Sequence, residues 1–152
     1  MKRVVATGTF DIIHPGHIYY LEESRKLGDE LHVIVARDRN VRHKPSPVIG
    51  EAQRLKVVRA LRVVDSARLG DLTDMFRPIR EIDPAVITLG FNQHFREEDL
   101  EKALRERGMG AEVVRIGEYS GDPCTSTRRI IGRILQMRGK PDQAPESREG
   151  SS

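Results

Sequence analysis

Two histidines three residues apart, His14 and His17, are the side chains in this sequence best suited to chemistry. They follow the first apolar run, in the stretch TGTFDIIHPGH at residues 7–17. An imidazole can donate hydrogen bonds to phosphate oxygens as negative charge grows in a transition state. Pro15 and Gly16 can begin a helix whose free N–H groups face an anion. The pair therefore favours phosphate chemistry, although its spacing alone also allows a metal pair or incidental surface histidines.

The surroundings of the pair favour the phosphate interpretation. A β-branched run at residues 3–6 precedes the turn, and Gly8 lets a ligand come close to the backbone. No cysteine or carboxylate at the usual ligand spacing accompanies the histidines, so no protein-bound metal is expected. Doubly wound sheets bind ligands beyond the carboxyl ends of their strands, often just after the first one. A strand, a glycine turn and a helix start together predict a phosphate site.

Short β-branched runs alternate with amphipathic stretches, and this alternation predicts the elements that position the histidines. Nearly continuous apolar strands in such an order indicate a parallel sheet covered on both faces. Right-handed crossovers then give an α/β, doubly wound (Rossmann-like) fold: a five-stranded parallel sheet with helices on both faces. Strands are predicted at residues 3–6, 31–36, 67–69, 85–89 and 112–116, and helices at about 17–27, 51–61, 75–82, 97–107 and 126–137.

Length and tail composition predict one domain. A chain of 152 residues can bury a core without metals or disulfides, and residues 1–138 are expected to form that domain. From Gly139 onward the sequence is rich in Pro, Gly, Ser and charge and has no apolar periodicity. Residues 139–152 are therefore predicted to be a disordered tail.

Charge and cysteine content narrow the class of function. The 26 Lys and Arg are dispersed among 23 Asp and Glu, with no run of five or six like charges, so no nucleic-acid partner is expected. A net positive charge that is carried mainly by arginine suits the binding of phosphorylated small molecules. Cys124 is the single cysteine, so no intrachain disulfide can form. With no signal-peptide pattern and no apolar stretch near the ~20 residues that span a bilayer, a cytoplasmic protein without a membrane partner is expected.

The motifs around the histidines resemble those of the cytidylyltransferase-like nucleotidyltransferases. That family carries a His-x-Gly-His element after a Gly-x-Phe-Asp turn, matched here by HPGH and GTFD. The resemblance covers about residues 3–135, and within the family the sequence is most similar to the archaeal FAD synthases, which adenylylate FMN. Glycerol-3-phosphate cytidylyltransferases are the nearest alternative. They place an arginine several residues before the last motif, where this chain has SGDP at 120–123, and that departure weakens the cytidylyl interpretation.

The resemblance implies roles for the first turn. Thr9 and Phe10 would help to hold the triphosphate and the acceptor, while His14 and His17 would bind the phosphates and stabilise the transition state. Asp11 would support the turn and the acceptor; a purely structural turn aspartate is the alternative.

Basic residues after the second predicted strand are assigned in the same way. Lys44 is expected to contact the phosphates, with Arg42 or a solvated loop as alternatives. Arg54 and Arg62 match two arginines that support the active site and the subunit contact in cytidylyltransferases. An exposed basic helix face is the alternative for both.

Two later segments complete the expected nucleotide site. Gly90, after the fourth predicted strand, would leave space for the base and Asn92 would bond a base edge, unless this is a simple strand-end turn. A Ser/Thr-rich motif before the last helix resembles the family's triphosphate grip, and an N-cap there is an anion site in its own right. Its residues are Thr125, Ser126, Thr127 and Arg128.

The implied reaction transfers AMP from ATP to FMN. A phosphate monoester is already ionised at neutral pH, so no general base is required, and positioning and charge stabilisation supply the catalysis. Mg²⁺, held by phosphates and water, is the expected cofactor, and a homodimer is implied by the family. The flavin ring would need an aromatic surface, for which Phe10, Tyr19, Tyr20 and Phe91 are candidates.

Two functions of other classes explain fewer of the motifs. A non-catalytic nucleotide-binding regulatory module would keep the glycine turn but need neither histidine. A redox protein would require Gly-x-Gly-x-x-Gly after the first strand, which GTF does not provide.

Overall fold

Parallel strands alternate with helices along the chain. The computed structural model describes residues 1–42 and 45–139. The strands are β1 (Arg3–Gly8), β2 (Glu30–Val35), β3 (Ser66–Leu69), β4 (Val86–Leu89) and β5 (Glu112–Arg115). The α-helices are α1 (Pro15–Arg25), α2 (Glu51–Arg59), α3 (Phe76–Ile82), α4 (Glu97–Glu106) and α5 (Thr127–Arg138), and a short 3-10 helix (Asp38–Asn40) follows β2.

The sheet order is β3-β2-β1-β4-β5, and every pair of neighbouring strands is parallel. The chain starts at the central strand, adds β2 and β3 on one side, and returns to add β4 and β5 on the other. Strand order therefore reverses between β1 and β4, whose carboxyl ends border the crevice where such sheets bind ligands. The predicted doubly wound α/β fold with five parallel strands is confirmed.

Side chains of β1 alternate between two hydrophobic cores, one on each face of the sheet. Val4 and Ala6 face the core that includes residues of α1 and α2, whereas Val5 faces the core built with α3 and α4. All three are fully buried. Burial on both faces is the reason that the strand reads as a continuous apolar run, the feature from which a parallel sheet was expected.

Predicted and observed elements agree in number and order, and their ends differ by up to two residues. Helix α1 begins at Pro15, two residues earlier than predicted, because the side chain of His14 caps it. The 3-10 helix after β2 was not predicted. Within the described residues, no helix is both long and apolar enough to cross a membrane. The predicted tail lies outside the described residues from residue 140 onward, so the division of the chain near residue 138 stays a prediction.

Candidate active site

His14 and His17 form a hydrogen-bonded box at the start of α1. His14 is the N-cap residue, and its Nδ1 accepts from the Gly16 N–H at 3.0 Å. The Nδ1 atom of His17 accepts from the backbone N–H of His14 at 3.3 Å. This is a capping box in which two histidines replace the usual Ser or Thr and Glu, and the ring centroids lie 3.8 Å apart.

The box sets the tautomer of both neutral imidazoles. A ring nitrogen that accepts a backbone N–H carries the lone pair, so the proton of each neutral ring resides on Nε2. Each ring is then a donor through Nε2, the form that a phosphate oxygen requires. The Phe10 ring supports the pair, with its centroid 5.4 Å from that of His17.

Burial lowers the pKa of His14 below its ordinary value of 6.5, because desolvation disfavours the imidazolium form. Well above pH 6.5 the residue is neutral in both the folded and the unfolded chain. At pH values between 6.5 and the lowered pKa, His14 binds a proton more readily in the unfolded chain than in the folded chain. We therefore expect the His14 contribution to the free energy of unfolding to be level above 6.5 and to fall as the pH drops through the lowered pKa.

Urea denaturation between about pH 5 and 8 measures this dependence in the wild type and in His14→Asn. Asparagine is a good N-cap but does not titrate in this range, so the variant should show a flatter dependence. Equal dependences in the two proteins would contradict a lowered pKa at His14.

The turn before α1 is held by close packing of Phe10. This residue has a φ of 55°, in the left-handed region, and is 2% exposed. A Cβ at Gly8 would lie 2.9 Å from the Phe10 ring, so the turn requires glycine there. Because the Phe10 side chain is part of the core, any contact that this residue makes with a nucleotide must come from its backbone.

The buried Arg54 side chain holds the same turn through hydrogen bonds to backbone carbonyl groups. Its side chain is fully buried, and its guanidinium donates to the carbonyl oxygens of Thr9 at 2.6 Å, Ile49 at 2.8 Å and Ala36 at 2.9 Å. It also pairs with Asp38 at 2.6 Å, and this contact holds the pKa of the Asp38 carboxyl below its usual value. The structure thus places Arg54 beneath the site as a support, and the exposed-face alternative is wrong for this residue.

Asp11 anchors the loop that follows the 3-10 helix. Its carboxylate accepts from the backbone N–H groups of Val48 at 2.9 Å and Ile49 at 2.8 Å. Lys44 lies outside the described residues, so its contact with phosphate stays a prediction. Arg42 is exposed, and its Nε donates to the Arg39 carbonyl at 3.5 Å.

The N-termini of α1 and α5 meet. The Thr127 hydroxyl donates to the Ile12 carbonyl at 3.4 Å, and the Thr125 carbonyl oxygen would lie 2.6 Å from a Cβ on Gly16. Ser126 caps α5 and accepts from the Arg129 N–H at 3.1 Å. Neither helix has an acidic residue in its first turn. Two positive helix ends without carboxylates in their first turns can bind phosphate groups, and the exposed Arg128 adds charge beside them.

Gly16→Ala tests the contact between these two helix starts. The added Cβ would press on the Thr125 backbone, which cannot move without shifting the cap of α5. We expect turnover to fall about tenfold or more, since misplacement by about 1 Å can cost 10²-fold. Gly132→Ala is the matched control, because a Cβ there meets nothing within 4 Å on an exposed face of α5. The control should be active and slightly more stable, as alanine favours a helix by about 1 kcal/mol; equal turnover in both variants would contradict the prediction.

The segment directly after β4 contains the predicted Gly90 and Asn92 and a residue for which no role was predicted, Gln93. The Gly90 N–H donates to the Gln93 side chain at 2.9 Å, and the Gln93 amide donates to the Thr7 carbonyl at 3.0 Å. Asn92 is exposed, with its Oδ1 near Gly90. Arg115 on β5 also reaches this segment. No sequence spacing connects Arg115 with it, because the contact arises only from the pairing of β4 with β5.

Among the described residues, Arg62 is a predicted site residue that the structure does not place near the carboxyl ends of the strands, where the histidines lie. It is exposed in the turn between α2 and β3. A helix in a doubly wound fold runs from the carboxyl edge of the sheet to the amino edge, so this turn lies opposite the histidines. The role of Arg62 in a subunit contact stays a prediction.

A groove of about 470 Å³ lies beside His14 on α1. Tyr19 and Tyr119 stand in it with ring centroids 5.2 Å apart. Among the four aromatic candidates for a flavin surface, Phe10 and Tyr20 are buried in the core, which leaves Tyr19 in the groove and Phe91, 48% exposed, after β4.

Known proteins resemble this chain over most of its length. The FAD synthase of Methanolacinia petrolearia is 68% identical over 92% of this chain and 95% of its own, and the FAD synthase of Methanocorpusculum labreanum is 64% identical over 92% and 100%. A solved structure from Thermoplasma volcanium GSS1, described as a lipopolysaccharide core biosynthesis protein, is 47% identical, with a TM-score of 0.77 over 79% of this chain and 99% of that one. The family model Cytidylyltransferase-like matches residues 5–137. These matches agree with the fold and with the motifs at its crevice: the chain belongs to the cytidylyltransferase-like family.

Proposed function

We propose that this chain is an FAD synthase, an enzyme that transfers AMP from ATP to FMN and releases pyrophosphate. The observation that carries the proposal is the 68% identity with an FAD synthase over 92% of the chain. The paired histidines at the junction of two helix N-termini supply the chemistry that this reaction needs.

The proposed reaction is an in-line displacement at the α-phosphorus of ATP, stabilised by groups that bind the phosphate charges. An oxygen of the FMN phosphate attacks the α-phosphorus of ATP, a new P–O bond forms, and the bond to the β-phosphate oxygen breaks in line with it. The FMN phosphate has a second pKa near 6, so it is a dianion at neutral pH and needs no base. His14 and His17 donate from Nε2 to phosphate oxygens as charge builds on them, and the N-termini of α1 and α5 receive the pyrophosphate.

Mg²⁺ is proposed to enter bound to ATP. Among the described residues, no group of three or more His, Cys, Asp or Glu side chains is placed to hold a metal ion. The triphosphate and water supply the oxygen ligands that Mg²⁺ prefers. Bound in this way, the ion neutralises part of the phosphate charge.

We further propose that the enzyme is a cytoplasmic homodimer. Helix α5 has no buried residue in the single chain, and Ile134, Leu135 and Met137 are 49%, 61% and 60% exposed. An apolar helix face of this kind suits a subunit contact. Sedimentation of the purified chain measures the oligomeric state directly.

Incubation with FMN, ATP and a Mg²⁺ salt tests the proposed reaction, with FAD measured by chromatography. Replacing ATP by CTP should slow the reaction by at least about tenfold. If CTP with glycerol 3-phosphate reacts faster than ATP with FMN, the chain is a nucleotidyltransferase with another substrate pair. If no pair releases pyrophosphate, the chain is a nucleotide-binding module without catalysis.

A further inference from the structure

The segment 90–97, which is the connection from β4 together with the first residue of α4, borders the crevice on the side of β4. Helix α4 has three acidic residues in its first turn, Glu97, Glu98 and Asp99, unlike α1 and α5. Carboxylates at a helix N-terminus repel phosphate. The segment is therefore suited to the uncharged part of a nucleotide, its base and ribose.

A single side chain from the neighbouring strand organises this segment. The Arg115 Nη1 donates to the carbonyl oxygens of Gly90 at 2.8 Å and Gln93 at 3.1 Å, and its Nη2 donates to the Phe95 carbonyl. Its Nε donates to the Glu97 carboxylate at 2.6 Å, and its Nη2 also pairs with that carboxylate. A guanidinium has five N–H donors. Four hydrogen bonds and the ion pair with Glu97 all go to the segment 90–97, so Arg115 supports this segment from the neighbouring strand.

The Gln93 side chain links β1 to the end of β4 beyond the last backbone pairing of these two strands. The pairing of β1 with β4 ends at Ala6 and Thr88. Beyond it, the Gln93 side chain accepts from the Gly90 N–H and donates to the Thr7 carbonyl at 3.0 Å, which joins the ends of the two strands. Gln93 thus sets the width of the crevice at the point where the strand order reverses.

The hydrogen bonds of Arg115 and Gln93 to the segment 90–97 and to Thr7 are called the clamp below. The segment that they hold exposes apolar rings to solvent. Phe91 is 48% exposed and Phe95 is 49% exposed, with the exposed Asn92 between them. A short connection without regular structure would otherwise be free to change shape, and recognition of a base requires fixed donors, acceptors and stacking surfaces.

We propose that Arg115 and Gln93 are positioning residues that hold the segment 90–97 in the shape that recognises the base of the nucleoside triphosphate. This proposal rests on the proposed adenylyl transfer. It assigns Phe91 to the base and leaves Tyr19 as the candidate surface for the flavin. It therefore predicts that weakening the hydrogen bonds of Arg115 and Gln93 affects the KM for ATP and the choice of ATP over CTP, while the KM for FMN is unchanged.

Arg115→Met and Gln93→Met remove the two parts of the clamp with little change in side-chain volume. We expect each to raise the KM for ATP about tenfold and to lower the ratio of kcat/KM for ATP over that for CTP by a similar factor. The KM for FMN and kcat should stay within about twofold of wild type. Arg115→Lys keeps the charge beside Glu97 but lacks the planar fork, so its ATP constants should lie between those of wild type and Arg115→Met.

Arg68→Met is the matched control. Arg68 lies on β3, the opposite edge strand, and pairs with Glu81 at 2.8 Å. It should change neither KM nor the preference for ATP, and melting temperatures of all variants separate loss of stability from loss of recognition. If Arg115→Met does not fold, Gln93→Met and Arg115→Lys decide the matter.

Equal changes in the KM for ATP and FMN, or an unchanged preference for ATP, would overturn the proposal. Failure of the proposed function gives a different result, because the wild type would then form no FAD. In that case, direct titration of ATP and CTP against the same proteins replaces the kinetics. An Arg115→Met variant that binds both nucleotides like wild type would show that the clamp is structural only.

Discussion

Replacing His17 with alanine is expected to reduce turnover about 10²- to 10³-fold while the protein stays folded. The reason is the tautomer fixed by the capping box: Nδ1 of His17 accepts from the His14 N–H, so the neutral ring donates through Nε2. Loss of one donor aimed at developing charge typically has an effect of this size. Loss of the capping contact adds a stability cost of about 1 kcal/mol.

Two further variants separate capping from catalysis. His17→Glu restores a carboxylate at the position that it usually takes in a capping box, so its stability should approach wild type while its charge repels phosphate. His32→Ala is the control, since His32 lies on β2 and pairs with Glu30 at 2.8 Å. That variant should lose the contact with Glu30 and keep its turnover. If His17→Ala retains more than about a third of wild-type turnover, His17 is not a catalytic donor.

Local features of this site could be predicted from the sequence because they depend on neighbouring residues. The apolar run of β1, Gly8, and the HPGH element all lie within residues 3–17, and the strand, turn and helix start follow from them. The fold followed from the same kind of information, as strands buried on both faces leave continuous apolar runs.

Features that depend on distant segments could not be predicted. Arg54 lies in the predicted helix 51–61 and Arg62 directly follows it, but α2 ends at Arg59; Arg54 is buried beneath the turn, whereas Arg62 lies toward the amino ends of the strands. Phe10 and Tyr20 are core residues whose rings stack with centroids 6.4 Å apart, and the Tyr20 hydroxyl donates to the Thr88 carbonyl of the distant strand β4 at 2.8 Å. The donors of Arg115 meet the segment 90–97 only after β5 has paired with β4. Periodicity contains no information on such contacts.

Removing the buried guanidinium of Arg54 is expected to destabilise the fold severely. Arg54→Met leaves the carbonyl oxygens of Thr9, Ala36 and Ile49 without the donor that they have in the wild type. A buried acceptor left without a partner costs about 1–3 kcal/mol; because these three are only partly buried, the lower end of that range applies and a loss of about 3–5 kcal/mol is expected. The free energy of unfolding of such domains is roughly 5–15 kcal/mol, so the variant would lose a large part of it.

Urea denaturation measures this loss, and Arg59→Met is the matched control. Arg59 lies on the same helix but is exposed, and its Nε donates to the Ala67 carbonyl at 3.1 Å, so its replacement should cost about 1 kcal/mol. Arg54→Lys should be nearly as unstable as Arg54→Met, because an ammonium group cannot span carbonyl groups that the planar fork reaches in three directions. Turnover should also fall, since the Thr9 carbonyl that Arg54 holds belongs to the turn leading to His14. A loss in Arg54→Met no larger than in Arg59→Met would mean that the turn is held by Asp11 and by packing of Phe10 alone.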